Sequence, residues 1–492
     1  MTDHTKTFFG HPRGLSTLFF TEMWERFSYY GMRAILLYYM YYSVSQGGLG
    51  FSKVTAASIM AIYGSLVYLS SVIGGFVSDR ILGSRKSVLY GGILIMLGHI
   101  ALATPFGKTA LFVSIALIIL GTGFLKPNVS DMVGSLYGEK DLRRDAGFSI
   151  FVFGINLGAF VAPAIVGYLG QEVNFHLGFS LAAVGMFFGL LQYMHDGKKY
   201  LPESSLHPTD PLSEAEKADL KKNVFIWGLA ILAGIVFLKC VNLLTINTVI
   251  NIFTAIAIII PIYYFFVKIL SSSKITETER SRVWAYIPLF IASILFWSIE
   301  EQGSVVLALF ADEQTRLYFN LFGHQINFPS SYFQSINPLF IMLYVPFFAW
   351  MWAKLGTKQP SAAKKFAYGL IAAGLSFVWM MLPGMLFGVH AKVSPMWLIV
   401  SWAIVIVAEM LISPIGLSIT TKLAPKAFQA QMMSIWFLSN ASAQAINAQI
   451  VKFYTSGNEI AYYGIVGTIT ILFGFLLFFY VPRIDKLMSG IK

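Results

Sequence analysis

The chain predicts an all-α polytopic membrane protein, and three observations predict it. Apolar runs of about 20 residues, the length an α-helix needs to cross a bilayer, recur from end to end. Only 12% of the 492 residues are charged and 56% are hydrophobic, whereas a soluble chain keeps about a quarter of its residues charged. Lys and Arg also fall unevenly between alternate loops. The runs are too long for barrel strands, and a bilayer requires backbone polar groups to be satisfied internally, which long helices do.

Fourteen spans follow in order: 15–42, 55–79, 87–106, 109–133, 146–170, 176–196, 223–240, 244–270, 284–311, 331–353, 365–389, 394–421, 428–452 and 460–482. The first 13 residues are polar and lead directly into a span, so no cleavable signal peptide is expected. Cys240 is the single cysteine, which excludes an intramolecular disulfide. The most polar stretch, 197–222, carries Pro202, Pro208 and Pro211 and reads as a cytoplasmic linker. Six spans precede it, and six follow the helix pair 223–270. The expected division is therefore a six-helix bundle over 1–196, the linker 197–222, two additional helices over 223–270 and a second six-helix bundle over 271–492. Paired six-helix halves are a common transporter plan, with the site between them near the midplane.

Twenty-five of the 35 Lys and Arg residues lie at the N-terminus or in alternate loops, six in the opposite loops and four within spans. This asymmetry places both termini in the cytoplasm. It also accounts for most of the net charge of +11, so no nucleic-acid partner is needed to explain it.

An ionisable side chain at mid-membrane costs about 2.5–3.5 kcal/mol and points to function. Such groups concentrate in four spans: Glu22, Glu25, Arg26 and Arg33 in the first, Lys126 in the fourth, Glu300 and Glu301 in the ninth, and Glu409 in the twelfth. At about 100° per residue, Glu22, Arg26, Tyr29, Tyr30 and Arg33 share one stripe, with Glu25 at its edge. A stripe with both signs and two phenols faces protein or water. A purely structural salt-bridge network would explain the first span alone, but apolar packing would hold a static bundle at less cost. Gly154 and Gly158 form a GxxxG pattern best read as helix packing. Pro127 and Pro163 mark bends or packing points. Gly107-Lys108-Thr109 imitates the end of a P-loop, but Leu102 stands where the first Gly should be. With no HExxH, no Ser/His/Asp set and only His99 well inside a span, neither a metal site nor an enzyme is expected. Transport would be driven by a gradient.

Glu22 to Gly31 reads EMWERFSYYG and matches ExxERFxYYG, a motif characteristic of the proton-dependent oligopeptide transporter family of the major facilitator superfamily. Gly121 to Asn128 (GTGFLKPN) resembles that family's fourth-helix signature and Phe148 to Phe160 (FSIFVFGINLGAF) its fifth. Phe296 to Gln302 (FWSIEEQ) resembles its acidic seventh-helix motif, and Gly75 to Lys86 the superfamily's loop between helices 2 and 3. The resemblance covers essentially the whole chain. It implies a major facilitator fold with 12 core helices, two extra helices between the halves as in bacterial members, and proton-coupled import of di- and tripeptides across the bacterial inner membrane.

The resemblance also implies roles. Arg26 and Lys126, with Tyr30, form the clamp for the peptide carboxylate, and Glu409, with Asn156 and Asn337, takes the ammonium end. Tyr68, Trp297 and Trp436 form pocket walls. Glu301 pairs with Lys126 and takes up a proton, while Glu22, Glu25 and Glu300 join Arg26, Lys126 and Glu301 in coupling. No histidine stands in 55–79, where some members carry a proton-linked one, so coupling should rest on carboxylates. The proton is the coupling ion and no other cofactor is expected. The partners are peptides, protons and membrane lipid, and the transporter is expected to act as a monomer. A zwitterionic dipeptide presents opposite charges at a fixed separation, which cations in one half and Glu409 in the other would recognise. The closest rival is nitrate or a modified amino acid on the same fold, but nitrate needs no ammonium site. A membrane enzyme using Glu300 and Glu301 as an acid/base pair would lack a nucleophile or metal set.

Overall fold

The computed structural model describes residues 7–138, 141, 143–488 and 490. It is built of helices, with two short hairpins: β1 (Thr7–Phe8) with β2 (His11–Pro12), and β3 (Tyr318–Leu321) with β4 (His324–Asn327). The first six helices are α1 (Gly14–Tyr41), α2 (Lys53–Val77), α3 (Ser84–Ala103), α4 (Gly107–Ser135), α5 (Arg144–Tyr168) and α6 (Phe175–Tyr200). Two more follow, α7 (Glu214–Cys240) and α8 (Ile246–Ile262). The rest are α9 (Glu277–Glu300), α10 (Val306–Gln314), α11 (Ile336–Leu355), α12 (Ala362–Phe387), α13 (Met396–Leu423), α14 (Gln429–Ile450) and α15 (Glu459–Leu487). With α9 and α10 counted as one interrupted rod, these are the fourteen expected spans. With fourteen rods, the start of α1 and the end of α15 fall on one face, called here the terminal face.

Helix ends carry local signals. Ser52 and Thr245 cap α2 and α8 by accepting from the N–H groups of Thr55 and Thr248. Capping boxes start α7 (Ser213 with Glu216) and α9 (Thr276 with Glu279). The box at Ser213 and the run through Lys198 and Lys199 extend α7 and α6 beyond their apolar cores, so the polar connection between them is shorter than 197–222. The ninth span, expected as one helix over 284–311, is broken by a 3₁₀ turn at Glu301–Ser304. Gly303 lies within that break, close against the Trp402 ring. A Cβ there would lie 1.9 Å from Trp402 Cη2, and the carbonyl freed by the turn accepts from Gln334 Nε2 at 2.9 Å.

Helices α1–α6 pack on one another, and α9–α15 do the same. The two bundles meet along α2 with α14 and α5 with α11. Close approach inside the first bundle depends on small residues: a Cβ on Gly74 of α2 would fall 1.8 Å from the Gly123 carbonyl of α4. A Cβ on Gly158 would lie 2.3 Å from the Met23 carbonyl oxygen, so the GxxxG of α5 is a packing device. Helix α8 is tied to α14 by Ser442 Oγ donating to the Ala257 carbonyl at 2.8 Å and Gln449 Nε2 to Thr254 Oγ1 at 2.9 Å. Helix α7 buries no residue.

Among the described residues, twelve of the fourteen rods are long and apolar enough to cross a membrane. The other two, α1 and α14, carry the four charges of the first span and a run of Gln, Asn and Ser.

Candidate binding cavity between the bundles

The stripe on α1 divides into two charged groups. Nearer the terminal face, Arg26 Nε lies 2.7 Å from Glu22 Oε1 and 3.1 Å from Glu25 Oε2, all three side chains being buried. Two turns further, Arg33 reaches across to the other bundle. Its Nη2 donates to Glu301 Oε2 at 2.7 Å. The second oxygen of Glu301 accepts from Asn440 Nδ2 at 3.0 Å, and Asn440 Oδ1 accepts from Gln444 Nε2 at 2.6 Å. Glu301 stands at the first residue of the break after α9. Its neighbour Glu300 accepts from Asn337 Nδ2 at 2.7 Å.

Of these groups, Arg33, Glu300, Glu301 and Asn337 line a cavity between the bundles. Tyr30, Arg33 and Tyr68 come from α1 and α2, Asn156 from α5, Trp297, Glu300 and Glu301 from α9 and the break, Asn337 from α11, and Trp402 and Glu409 from α13. Oε2 of Glu409 is buried without a hydrogen-bond partner. A buried carboxyl oxygen left without a hydrogen bond is costly unless it is protonated or meets a donor, and both oxygens of Glu25 share this state.

Of the residues the sequence nominates for substrate, Tyr30, Tyr68, Asn156, Trp297, Asn337 and Glu409 line this cavity together. Arg26 and Lys126 are placed behind its tyrosine wall, with Lys126 Nζ 4.0 Å from the centroid of the Tyr68 ring. Trp436 is turned away, its indole seated against Gly416, where a Cβ would lie 1.9 Å from Cη2. The expected Lys126–Glu301 pair is not formed in this structure. Arg33 holds Glu301 instead, because it projects from α1 directly at the break, while the Lys126 ammonium rests on the phenol ring. Arg33 was visible as a member of the charged stripe but not as the partner of Glu301. Asn440 gave only the general signal of a polar helix in a membrane chain.

Away from the terminal face the bundles are joined by further polar contacts. Asp312 accepts from Tyr41 at 2.5 Å, from Tyr42 at 2.8 Å and from Ser330 at 3.1 Å. Lys53 pairs with Glu313, Ser65 Oγ donates to the Ala441 carbonyl at 2.7 Å, and Ser335 Oγ to the Phe160 carbonyl at 2.7 Å. On the terminal face Arg80 pairs with Asp210 and Glu216, which precede and open α7.

The chain is 51% identical to the uncharacterized transporter YclF of Bacillus subtilis (strain 168), covering 99% of this chain and 97% of that protein. It is 48% identical to a di-/tripeptide transporter of Lactococcus lactis subsp. cremoris, covering 99% and 98% respectively. A crystal structure of a peptide transporter POT in complex with sulfate matches with a TM-score of 0.95 at 55% identity, covering 99% of this chain and 97% of that one. The POT family profile matches residues 85–469. With two six-helix bundles, a pair of extra helices and this sequence kinship, the chain belongs to the POT family of multi-pass membrane transporters.

Proposed function

We propose that the protein is a proton-coupled symporter that imports di- and tripeptides across the inner membrane by alternating access. The observation that carries this reading is the buried Arg33–Glu301 pair, which joins the two bundles in the wall of a cavity that Glu409 also lines with an unpaired oxygen. Protonating Glu301 removes the charge that holds Arg33, so proton uptake and separation of the bundles become one event. Contacts between the bundles crowd the face opposite the termini. With the basic loops in the cytoplasm, that is an outward side held shut above a site reached from within.

Glu409, with Asn156 and Asn337, receives the peptide ammonium, and Arg26 and Lys126, behind Tyr30 and Tyr68, attract its carboxylate. Trp297 supplies an apolar wall that tolerates many side chains, and Trp436 stiffens the helix pair behind it. Glu22, Glu25 and Glu300 hold charge close to the switching pair. The bundles correspond to 1–196 and 271–492, joined through 197–222 and 223–270, and the single chain is sufficient for transport. The protein moves its substrate without altering it.

Uptake by purified protein in liposomes tests the reading. Di- and tripeptide uptake should require an inward proton gradient and collapse with a protonophore. An inside-negative potential should speed it, since each positive charge moved gains about 2.3 kcal/mol per 100 mV. Lys126→Ala should lose driven uptake while remaining folded. Uptake indifferent to the protonophore overturns proton coupling.

A further inference from the structure

A second cavity lies apart from the binding site. Its walls are Leu69 and Ile73 of α2, Ile119 of α4, Ile260 of α8, Tyr263 just beyond α8, and Leu438 of α14, and its volume is about 910 Å³. It therefore spans both bundles and one extra helix. The hydroxyl of Ser70 on its wall is already used, donating to the carbonyls of Val67 and Ile119 at 2.8 Å each. Water needs two to four polar partners to occupy a cavity, and an apolar cavity stays dry. The α2, α4 and α8 walls belong to rods long and apolar enough to cross a membrane, so the medium outside the crevice is hydrocarbon.

The mouth differs from the interior. Gln431 and Ser434, in the first turns of α14, and Tyr263 and Tyr264 place polar groups toward the terminal face. There the chain after α8 widens into a π-helical turn over Tyr263–Ile269, a distortion often found at functional positions. Lys268, exposed on this turn, stands 5.7 Å from the centroid of the Tyr263 ring. An apolar slot with two tyrosines at its terminal end, and an exposed lysine just beyond them beside the Tyr263 ring, has the chemistry of a phospholipid site.

We propose that this crevice holds one acyl chain of an anionic phospholipid from the leaflet beside the terminal face, with its phosphate at Lys268. Burying a chain among apolar helices gains little over leaving it in the bilayer, because lipid tails are as apolar as the walls. Selection rests on the headgroup and on filling a slot that would otherwise stay empty. Because the walls come from both bundles, occupancy also depends on their relative position.

Photolabelling tests this. The transporter is placed in bilayers containing phosphatidylglycerol with a diazirine in its acyl chain, and adducts are mapped by peptide mass spectrometry. Crevice residues should be labelled more densely than α7, which faces lipid without a slot. Ala116→Trp, which fills the slot, should suppress crevice labelling and leave α7 labelling unchanged. Ile256→Trp, on the bilayer side of the slot, should act the same way and serves if the first variant fails to fold. Lys268→Ala should lower crevice labelling by the phosphatidylglycerol probe about fivefold, the share one lysine contributes at an anionic surface, and lower it less for a phosphatidylcholine probe, whose phosphate is offset by its choline. Labelling of the crevice no denser than α7, or unmoved by either tryptophan, means annular lipid only and overturns the site. An unchanged preference in Lys268→Ala overturns the assignment of an anionic headgroup.

Discussion

Helices α1 and α7 are of nearly equal length and opposite in character. Helix α1 contains Glu22, Glu25, Arg26 and Arg33 and is buried along most of its length. Between Lys222 and Lys239 the chain of α7 has no charge at all, yet the helix buries no residue. In water the order would be reversed. In a bilayer the hydrocarbon is the solvent, so apolar surface is no reason to pack, and polar side chains mark the protein interior. Charges in α1 are kept because each meets a partner or a cavity: Arg26 its two glutamates, Arg33 the Glu301 of the other bundle.

The largest effect expected from this contrast is at Arg33. Arg33→Ala leaves Glu301 buried beside Asn440 alone, and breaking a buried pair costs about 3–5 kcal/mol. Driven uptake in liposomes should fall to background, with Arg33→Lys recovering part of it because one point charge replaces a planar fork. Half-normal driven uptake in the alanine variant would show that the buried charges of α1 are not what joins the bundles to the proton.

Glu409→Gln should have the next largest effect. Free dipeptides should bind about tenfold more weakly, corresponding to about 1.4 kcal/mol, and acetylating their N-terminus should then cost little more. Competition binding measures both. An acetylation penalty as large as in the parent protein would move the ammonium site elsewhere.

A smaller, indirect effect is expected at Gly64. A Cβ there would lie 1.6 Å from Gln444 Oε1. Gln444 can swing aside, but it donates to Asn440, which in turn holds Glu301. Gly64→Ala should slow driven uptake severalfold without unfolding the protein. Combining it with Gln444→Ala should remove the clash, while leaving Asn440 with one partner fewer. Identical kinetics in Gly64→Ala and the parent would show that this chain of amides does not bear on Glu301.

The smallest effect is expected on α7. Leu229→Ala and Ile231→Ala touch only the exposed side of a helix with no buried residue. Stability should change by no more than about 0.5 kcal/mol, and uptake should be unchanged. Thermal unfolding and initial rates check this, and a large loss in either would show that α7 is covered in the working transporter.

The charged stripe of α1 was legible because helical spacing is a local property: Glu22, Arg26, Tyr30 and Arg33 fall on one side whatever surrounds them. The motifs around Glu301 and Lys126 likewise announced buried ionisable groups. Their pairing was not legible. Arg33 and Glu301 are 268 residues apart, and which cation reaches Glu301 depends on the break at Glu301–Ser304 and on how two bundles dock. Trp436 illustrates the same limit, since its ring packs against Gly416 of the neighbouring helix and does not line the cavity.

The sequence by itself determined the class, the number and order of the spans, the basic asymmetry of the loops and the identity of the residues that carry charge into the membrane. Each of these depends on composition and on periodicity within about 20 residues, the thickness of a bilayer. Only the tertiary structure decided that Arg33 holds Glu301, that Lys126 rests on Tyr68, that Glu409 keeps a free oxygen, and that an apolar crevice opens between α2, α4, α8 and α14. Those are contacts between helices distant in sequence, and side-chain reach across a packed interface is set by backbone approach to fractions of an ångström, which no local pattern encodes.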